Sequence, residues 1–257
     1  HRVLARAVGG HRVLTLLSGG RDVVDSAVTK AHLVDQFFFA VARQIEWPAL
    51  VDVVRRRALD GNGYDQTGPE LTIAGIAQAT GVASHFVRNN IERWLSENVF
   101  HDYSMTHEFR LAMMHICLDP MNNPYQGVGG MTDVILNWLR GELKLISALK
   151  PAAIYQKIAR HNARDTFVSL SHWVRFAGKA GMIVTLDISA YLTRVRAAVA
   201  PGESYYTRAA TMDLYESLRQ FVDSVDEMES AVVVVLAAPE FLDDNDRGLS
   251  TYRALYA

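Results

Sequence analysis

Residues 181–187 read Gly181-Met182-Ile183-Val184-Thr185-Leu186-Asp187, a short run of branched apolar residues closed by an acid. A run of this length, bounded by glycine and rich in Ile and Val, predicts a strand buried on both faces, as in a parallel sheet. Working outward, Arg12-Val13-Leu14-Thr15-Leu16-Leu17-Ser18 has the same character, and so does Ala231-Val232-Val233-Val234-Val235-Leu236, which ends in Ala237-Ala238-Pro239. Long helical patterns separate these runs, notably 22–46 and Tyr205 to Val225. Strands alternating with helices imply right-handed crossovers and a parallel sheet covered on both faces, hence an α/β fold. Residues 1–8, with Val3, Leu4, Ala7 and Val8 on one side, read as the last turns of a helix stopped by Gly9-Gly10.

Between 48 and 125 only helices and turns are expected. Asp60-Gly61-Asn62-Gly63-Tyr64-Asp65 and Asp119-Pro120-Met121-Asn122-Asn123-Pro124 break the chain. Helices resume at 130–148 and 151–177. The expected division is a sheet core from 1–47 and 126–257, with a helical insertion at 48–125.

In an open parallel sheet, ligands sit beyond the carboxyl ends of the strands. Asp187 holds that position on the second strand. An acid there can orient the hydrated Mg²⁺ that bridges nucleotide phosphates; equally, an aspartate just past a strand can be solvated or cap a helix. A glycine-rich phosphate loop, G-x-x-x-x-G-K-[ST], is absent from the sequence. Gly127-Val128-Gly129-Gly130 has glycines without the Lys and Ser/Thr, and it follows no strand. If residues 1–8 end the helix that follows a phosphate loop, that loop is expected just upstream of His1.

Several stretches together carry a specific resemblance. They are Leu136-Asn137-Trp138-Leu139-Arg140-Gly141, Leu149-Lys150-Pro151-Ala152, Arg160-His161-Asn162-Ala163-Arg164-Asp165, the 181–187 run, Tyr205-Tyr206-Thr207-Arg208, and Tyr215-Glu216-Ser217-Leu218-Arg219-Gln220-Phe221-Val222-Asp223. As a set they resemble P-loop ATP-binding proteins of bacterial anti-phage defence systems of the BREX type. The resemblance is dense over 130–245 and in outline over 1–60. It implies a P-loop NTPase-like fold, an ATPase of the broad AAA/STAND class, ATP and Mg²⁺ as cofactors, and other defence-system proteins as partners. Asp187 then matches the Walker-B aspartate. Many relatives carry an acid directly after it, where this chain has Ile188, and a polar sensor after the last strand, where this chain has Ala237. Both departures weigh against fast hydrolysis more than against binding. Arg164 and Arg208 are the candidates to stabilise phosphoryl charge, in this chain or across a homo-oligomer; each reads equally as a surface arginine.

A second pattern spans Thr72 to Ile91 and resembles a helix-turn-helix, the whole pair running over 72–97. Ala77 stands at the helix crossing, Gly81 in the turn, and Val82 and Val87 point inward. In that motif the second helix enters the DNA major groove, so Ser84, His85, Arg88 and Asn89 would face bases or phosphates. Asn90 falls where an apolar residue belongs, and Glu92 and Glu97 offset Arg88 and Arg93. A structural helical hairpin therefore stands beside duplex DNA binding, and a non-catalytic DNA-binding or scaffolding module stands beside the ATPase.

Bulk properties limit the rest. A net charge of −2 across 257 residues gives no global attraction to nucleic acid or membrane, so any such contact must be local. The single cysteine, Cys117, excludes an intrachain disulfide and suits the cytoplasm. No apolar run reaches membrane-spanning length, so no membrane partner is expected. Asp60–Asp65 hints at a calcium loop but has Leu71 where the bidentate acid belongs, and His107 and His115 lack a third ligand at metal spacing.

Overall fold

In the computed structural model, the structure describes residues 6–8, 11–19, 32–64, 71–122, 130–188 and 207–256; for β1, β2, Asp187, Asp243 and Tyr256 it describes the backbone only. The described residues divide into two compact units, one formed by 1–45, 159–175 and 179–257, the other by 46–158 and 176–178.

The first unit carries a sheet of order β1-β2-β3-β4: β1 (Arg6–Val8), β2 (His11–Gly19), β3 (Gly181–Asp187) and β4 (Ala231–Leu236). The three predicted strands all form, and β3 pairs parallel with β2 on one side and with β4 on the other. The α/β character holds. Of the helix expected over residues 1–8, residues 1–5 lie outside the described residues, and Arg6–Val8 is instead a strand, antiparallel to β2, with Val8 opposite His11. Gly9-Gly10 between two β-prone runs is a hairpin signal as well as a helix stop, and pairing with β2 satisfies backbone groups that so short a helix would leave open.

Helices α1 (Val34–Gln44), α7 (Ala163–Phe176) and α8 (Arg208–Asp223) are held together by three buried rings. Phe37, Phe167 and Phe221 form a triangle with centroid separations of 4.8, 5.2 and 5.6 Å. Ser217 Oγ donates to the His32 carbonyl at 2.8 Å and seats the start of α1 on α8. Alternation along the strands sends Met182, Val184 and Leu186 to one face, where all three are buried. Their register neighbours Ala231, Val233 and Val235 face α8 through Leu218 and Phe221.

The opposite face departs from the expectation of cover on both sides. Ile183 and Thr185 are half-buried, their partners Val232 and Val234 are 53% and 37% exposed, and Leu236, opposite Asp187, is 49% exposed. Among the described residues no helix packs there. Gly181 opens β3 because the backbone entering β4 runs against it: a Cβ would stand 2.2 Å from the Ser230 carbonyl oxygen.

The second unit is helical: α2 (Trp47–Asp60), α3 (Ile73–Thr80), α4 (Ser84–Leu95), α5 (His107–Asn122) and α6 (Met131–Leu139). Its core includes Trp47, Val54, Leu59, Ile91, Leu95, Phe109 and Met113. Arg55 reaches the end of α5, donating to the carbonyls of Cys117 at 2.9 Å and Ile116 at 2.7 Å. Asp119 accepts from the backbone and hydroxyl of Thr132, which fastens the start of α6 to α5. Trp138 Nε1 donates to the Gln156 carbonyl at 3.0 Å. These bonds carry the helical unit through residue 158, past the boundary at 125 expected from the sequence. In place of continuous helices at 130–148 and 151–177, α6 is followed by a 3₁₀ segment at Ile146–Ala152 and irregular chain up to α7, Pro151 falling within the 3₁₀ turn. In the C-terminal part of the first unit, α9 (Glu240–Asp243) and α10 (Arg253–Tyr256) are single turns.

The two sheet faces give a paired expectation. Leu186→Ala, at 1% exposure, should lower unfolding free energy by about 2–5 kcal/mol in urea titrations, whereas Val234→Thr should change it by no more than about 0.5 kcal/mol. Comparable losses would mean that the β4 face is covered.

Candidate functional site

The carboxyl edge of the sheet is defined by the last residues of three parallel strands: Gly19, Asp187 and Leu236 lie side by side in register. Helices α7 and α8 lead into β3 and β4, so their C-terminal ends lie at the strands' starts and their N-terminal ends at the carboxyl edge. Side-chain contacts agree with this direction. Arg160 Nη1 approaches Asp213 Oδ2 at 4.0 Å near the two helix starts. At the other end, Glu229 N donates to Ser171 Oγ at 3.1 Å, and His172 Nε2 contacts the Glu227 carbonyl at 2.8 Å. Unpaired N–H groups and the helix dipole favour anions at helix starts. Thr207 caps α8, its hydroxyl accepting from Ala210 N at 3.2 Å.

Three residues named from the sequence thus share one edge. Asp187 closes β3 between Gly19 and Leu236. Arg208 is the first residue of α8 and is exposed. Arg164 lies in the first turn of α7, where its guanidinium is taken by its neighbour: Nη2 is 2.7 Å and Nε 2.8 Å from Asp165 Oδ1. To meet a phosphate, Arg164 must leave that pair, which at this exposure holds it by little. Ile188 is fully buried, and its N–H donates to the Leu236 carbonyl at 2.8 Å. The position where relatives carry a second acid is therefore part of the core, whereas Ala237 is exposed.

The residues present fit Mg–ATP in part. A carboxylate stands at a strand end and helix starts share its edge, but the sequence holds no phosphate-cradling loop. Among the described residues no group of three or more His, Cys, Asp and Glu forms a metal cluster. A cavity of about 710 Å³ runs along β4 and α8, lined by residues such as Val233, Val235, Phe221, Leu249 and Leu255. No charged side chain lines it, so it does not suit a triphosphate.

On α8, Glu216 accepts from both Arg219 Nη2 at 2.7 Å and Arg219 Nε at 3.0 Å, and from the Tyr252 hydroxyl. The Arg219 hydrogen bonds, then that of Tyr252, bring its carboxyl down to about 2. This network and the hydrogen bond from Tyr215 to the Arg247 carbonyl tie the C-terminal segment to α8. Burial pushes the Cys117 thiol up to about 12, which makes it an inert core residue.

In the helical unit, α3 ends at Gly81 with φ +70°, a left-handed turn that favours glycine, and α4 begins three residues later. Thr72 caps α3 by accepting from Gly75 N at 3.0 Å. Val87, Ile91 and Leu95 form the inner stripe of α4, and Ser84, His85, Arg88 and Asn89 are all exposed, as a groove-entering helix requires. The misfit Asn90 is explained: its Nδ2 donates to the Tyr64 hydroxyl at 2.8 Å, which satisfies an inward polar group. Sequence reading passed over Phe86, which is 57% exposed. Its signal was present, since it lies off the 87, 91, 95 stripe.

The fold is that of an α/β protein whose three parallel strands end side by side at one edge. The model of the family described as BREX system ATP-binding protein BrxC/D matches residues 82–257, and this chain belongs to that family. No curated protein and no solved structure matches it. Among the described residues no helix is long and apolar enough to cross a membrane.

A folded-state carboxyl at about 2 against an ordinary 4.5 stabilises the protein above pH 4.5, and this contribution is lost as pH falls toward 2. Across that window the thermal midpoint of the wild type should fall more steeply than that of Glu216→Gln; parallel slopes would show that Glu216 does not fasten the segment.

Proposed function

We propose that this chain is the nucleotide-binding subunit of a BREX-type defence system, an AAA/STAND-like P-loop ATPase whose nucleotide state controls assembly with partner proteins or DNA. The observation that carries this reading is Asp187 at the end of β3, on the edge shared with the starts of α7 and α8. In this reading Asp187 orients the Mg²⁺ that accompanies ATP, and Arg208 and Arg164 face the phosphates. Bound Mg²⁺ supplies charge neutralisation across the phosphates. Among the described residues the free edge of β4 has no neighbour, so it is open to a further strand. A Val-rich strand apolar on both faces belongs inside a parallel sheet, and this supports a further strand.

The buried Ile188 supports binding and slow turnover over a fast motor, since no acid follows Asp187 to polarise water. Mg–ATP affinity, measured on the full-length protein, should fall about tenfold in Asp187→Asn, and affinity for ATP in EDTA should stay unchanged. Equal Mg–ATP affinities would remove Asp187 from the site.

A second reading, a DNA-binding module on a catalytically silent core, is favoured by the exposed start of α4. No hydrogen bond or ion pair engages the side chains of Ser84, His85, Arg88 and Asn89 among the described residues, so all four are available to a duplex. Arg88→Glu should weaken duplex binding and lower the salt slope by about one. An unchanged slope would leave the pair a structural hairpin.

A further inference from the structure

The outward side of α4 combines three features. The first is Phe86, 57% exposed on the side opposite the Val87–Ile91–Leu95 stripe, with the His85 ring 4.2 Å away. A large aromatic held out at the first turn of a helix gains nothing for the fold. The second is polar equipment without internal work: Arg88, Asn89 and Arg93 are exposed, and their side chains make no hydrogen bond or ion pair among the described residues. The third is charge. The first turn of α4 holds no acid, α3 (IAGIAQAT) carries no charge at all, and along α4 the exposed Arg88 and Arg93 stand against one half-buried acid, Glu92. A neutral first helix and unpaired guanidiniums on the second suit close approach to a polyanion rather than to an acidic or mixed protein surface.

Resting on the duplex-binding reading above, we propose that Phe86 recognises thymine by packing against its 5-methyl group in the major groove, with Asn89 and Arg88 placed for adjoining base edges or phosphates. The chemistry follows from what the groove displays. The thymine methyl is its main apolar feature, and it pairs with apolar side chains, phenylalanine among them. Asn is the side chain suited to the adenine N6 and N7, so Phe86 and Asn89, one helical turn apart, address the two bases of neighbouring A·T steps. Covering a methyl also desolvates the ring, which gives the exposure of Phe86 a purpose that a helical hairpin does not.

The test uses the full-length protein and a random-sequence duplex library made in two forms, one with thymidine and one with deoxyuridine, which differ only in that methyl. Sequences enriched by binding are measured by fluorescence anisotropy in both forms. The wild type should bind the thymidine form more tightly, by about fourfold per contacted thymine, the worth of one buried carbon. Phe86→Ala, a surface change that leaves the inner stripe intact, should bind both forms equally, and Phe86→Leu should retain part of the preference. Equal wild-type affinity for the two forms, or a preference that persists in Phe86→Ala, overturns the methyl recognition while duplex binding stands. No binding to either form at low salt overturns both.

Discussion

The Phe37–Phe167–Phe221 triangle is the contact on which the sheet-bearing unit depends. It joins one residue from each of three helices that are far apart in sequence, with centroids within 5.6 Å of one another. Paired rings add to the apolar area they bury, so the cluster fastens the three helices to one another. Alignment matters for function because α7 and α8 feed β3 and β4. Their common direction brings two helix starts and the terminus of β3 to one edge.

This unit was legible from its apolar runs because parallel strands buried together share one signature, and β2, β3 and β4 carry it without interruption. What escaped reading depended on partners. Arg6–Val8 is too short for periodicity to separate helix from strand, and the outcome was decided by pairing with His11–Val13. The reach of the helical unit to residue 158 depended on bonds between distant residues, Asp119 with Thr132 and Trp138 with Gln156, which no local pattern announces. Asn90 looked like a flaw in a helix-turn-helix because its acceptor, Tyr64, lies 26 residues earlier in the chain. At the candidate site, the place of Asp187 at a strand end was legible in its apolar run, and the Asp165 partner of Arg164 was adjacent in sequence and visible in principle.

The burial of Ile188 divides the functional possibilities more sharply than its identity alone. An exposed isoleucine beside Asp187 could be replaced by an acid with little consequence. A fully buried one, bonded through its N–H to Leu236, extends the β3–β4 ladder by one residue. A carboxylate in that place would have to be desolvated, and it would remain charged only with a partner. The residue after Asp187 therefore serves the packing of the sheet.

The exposed side of β4 follows the same logic. Val232, Val234 and Leu236 are too apolar for a solvent-facing edge, and natural sheets protect such edges with charge, proline, bulges or cover. None of these devices occurs within Ala231–Leu236. The strand is apolar towards α8 on one side and equally apolar on the other, where among the described residues nothing covers it. Its composition suits a strand flanked on its free lateral edge and covered on its second face, as strands inside a parallel sheet are.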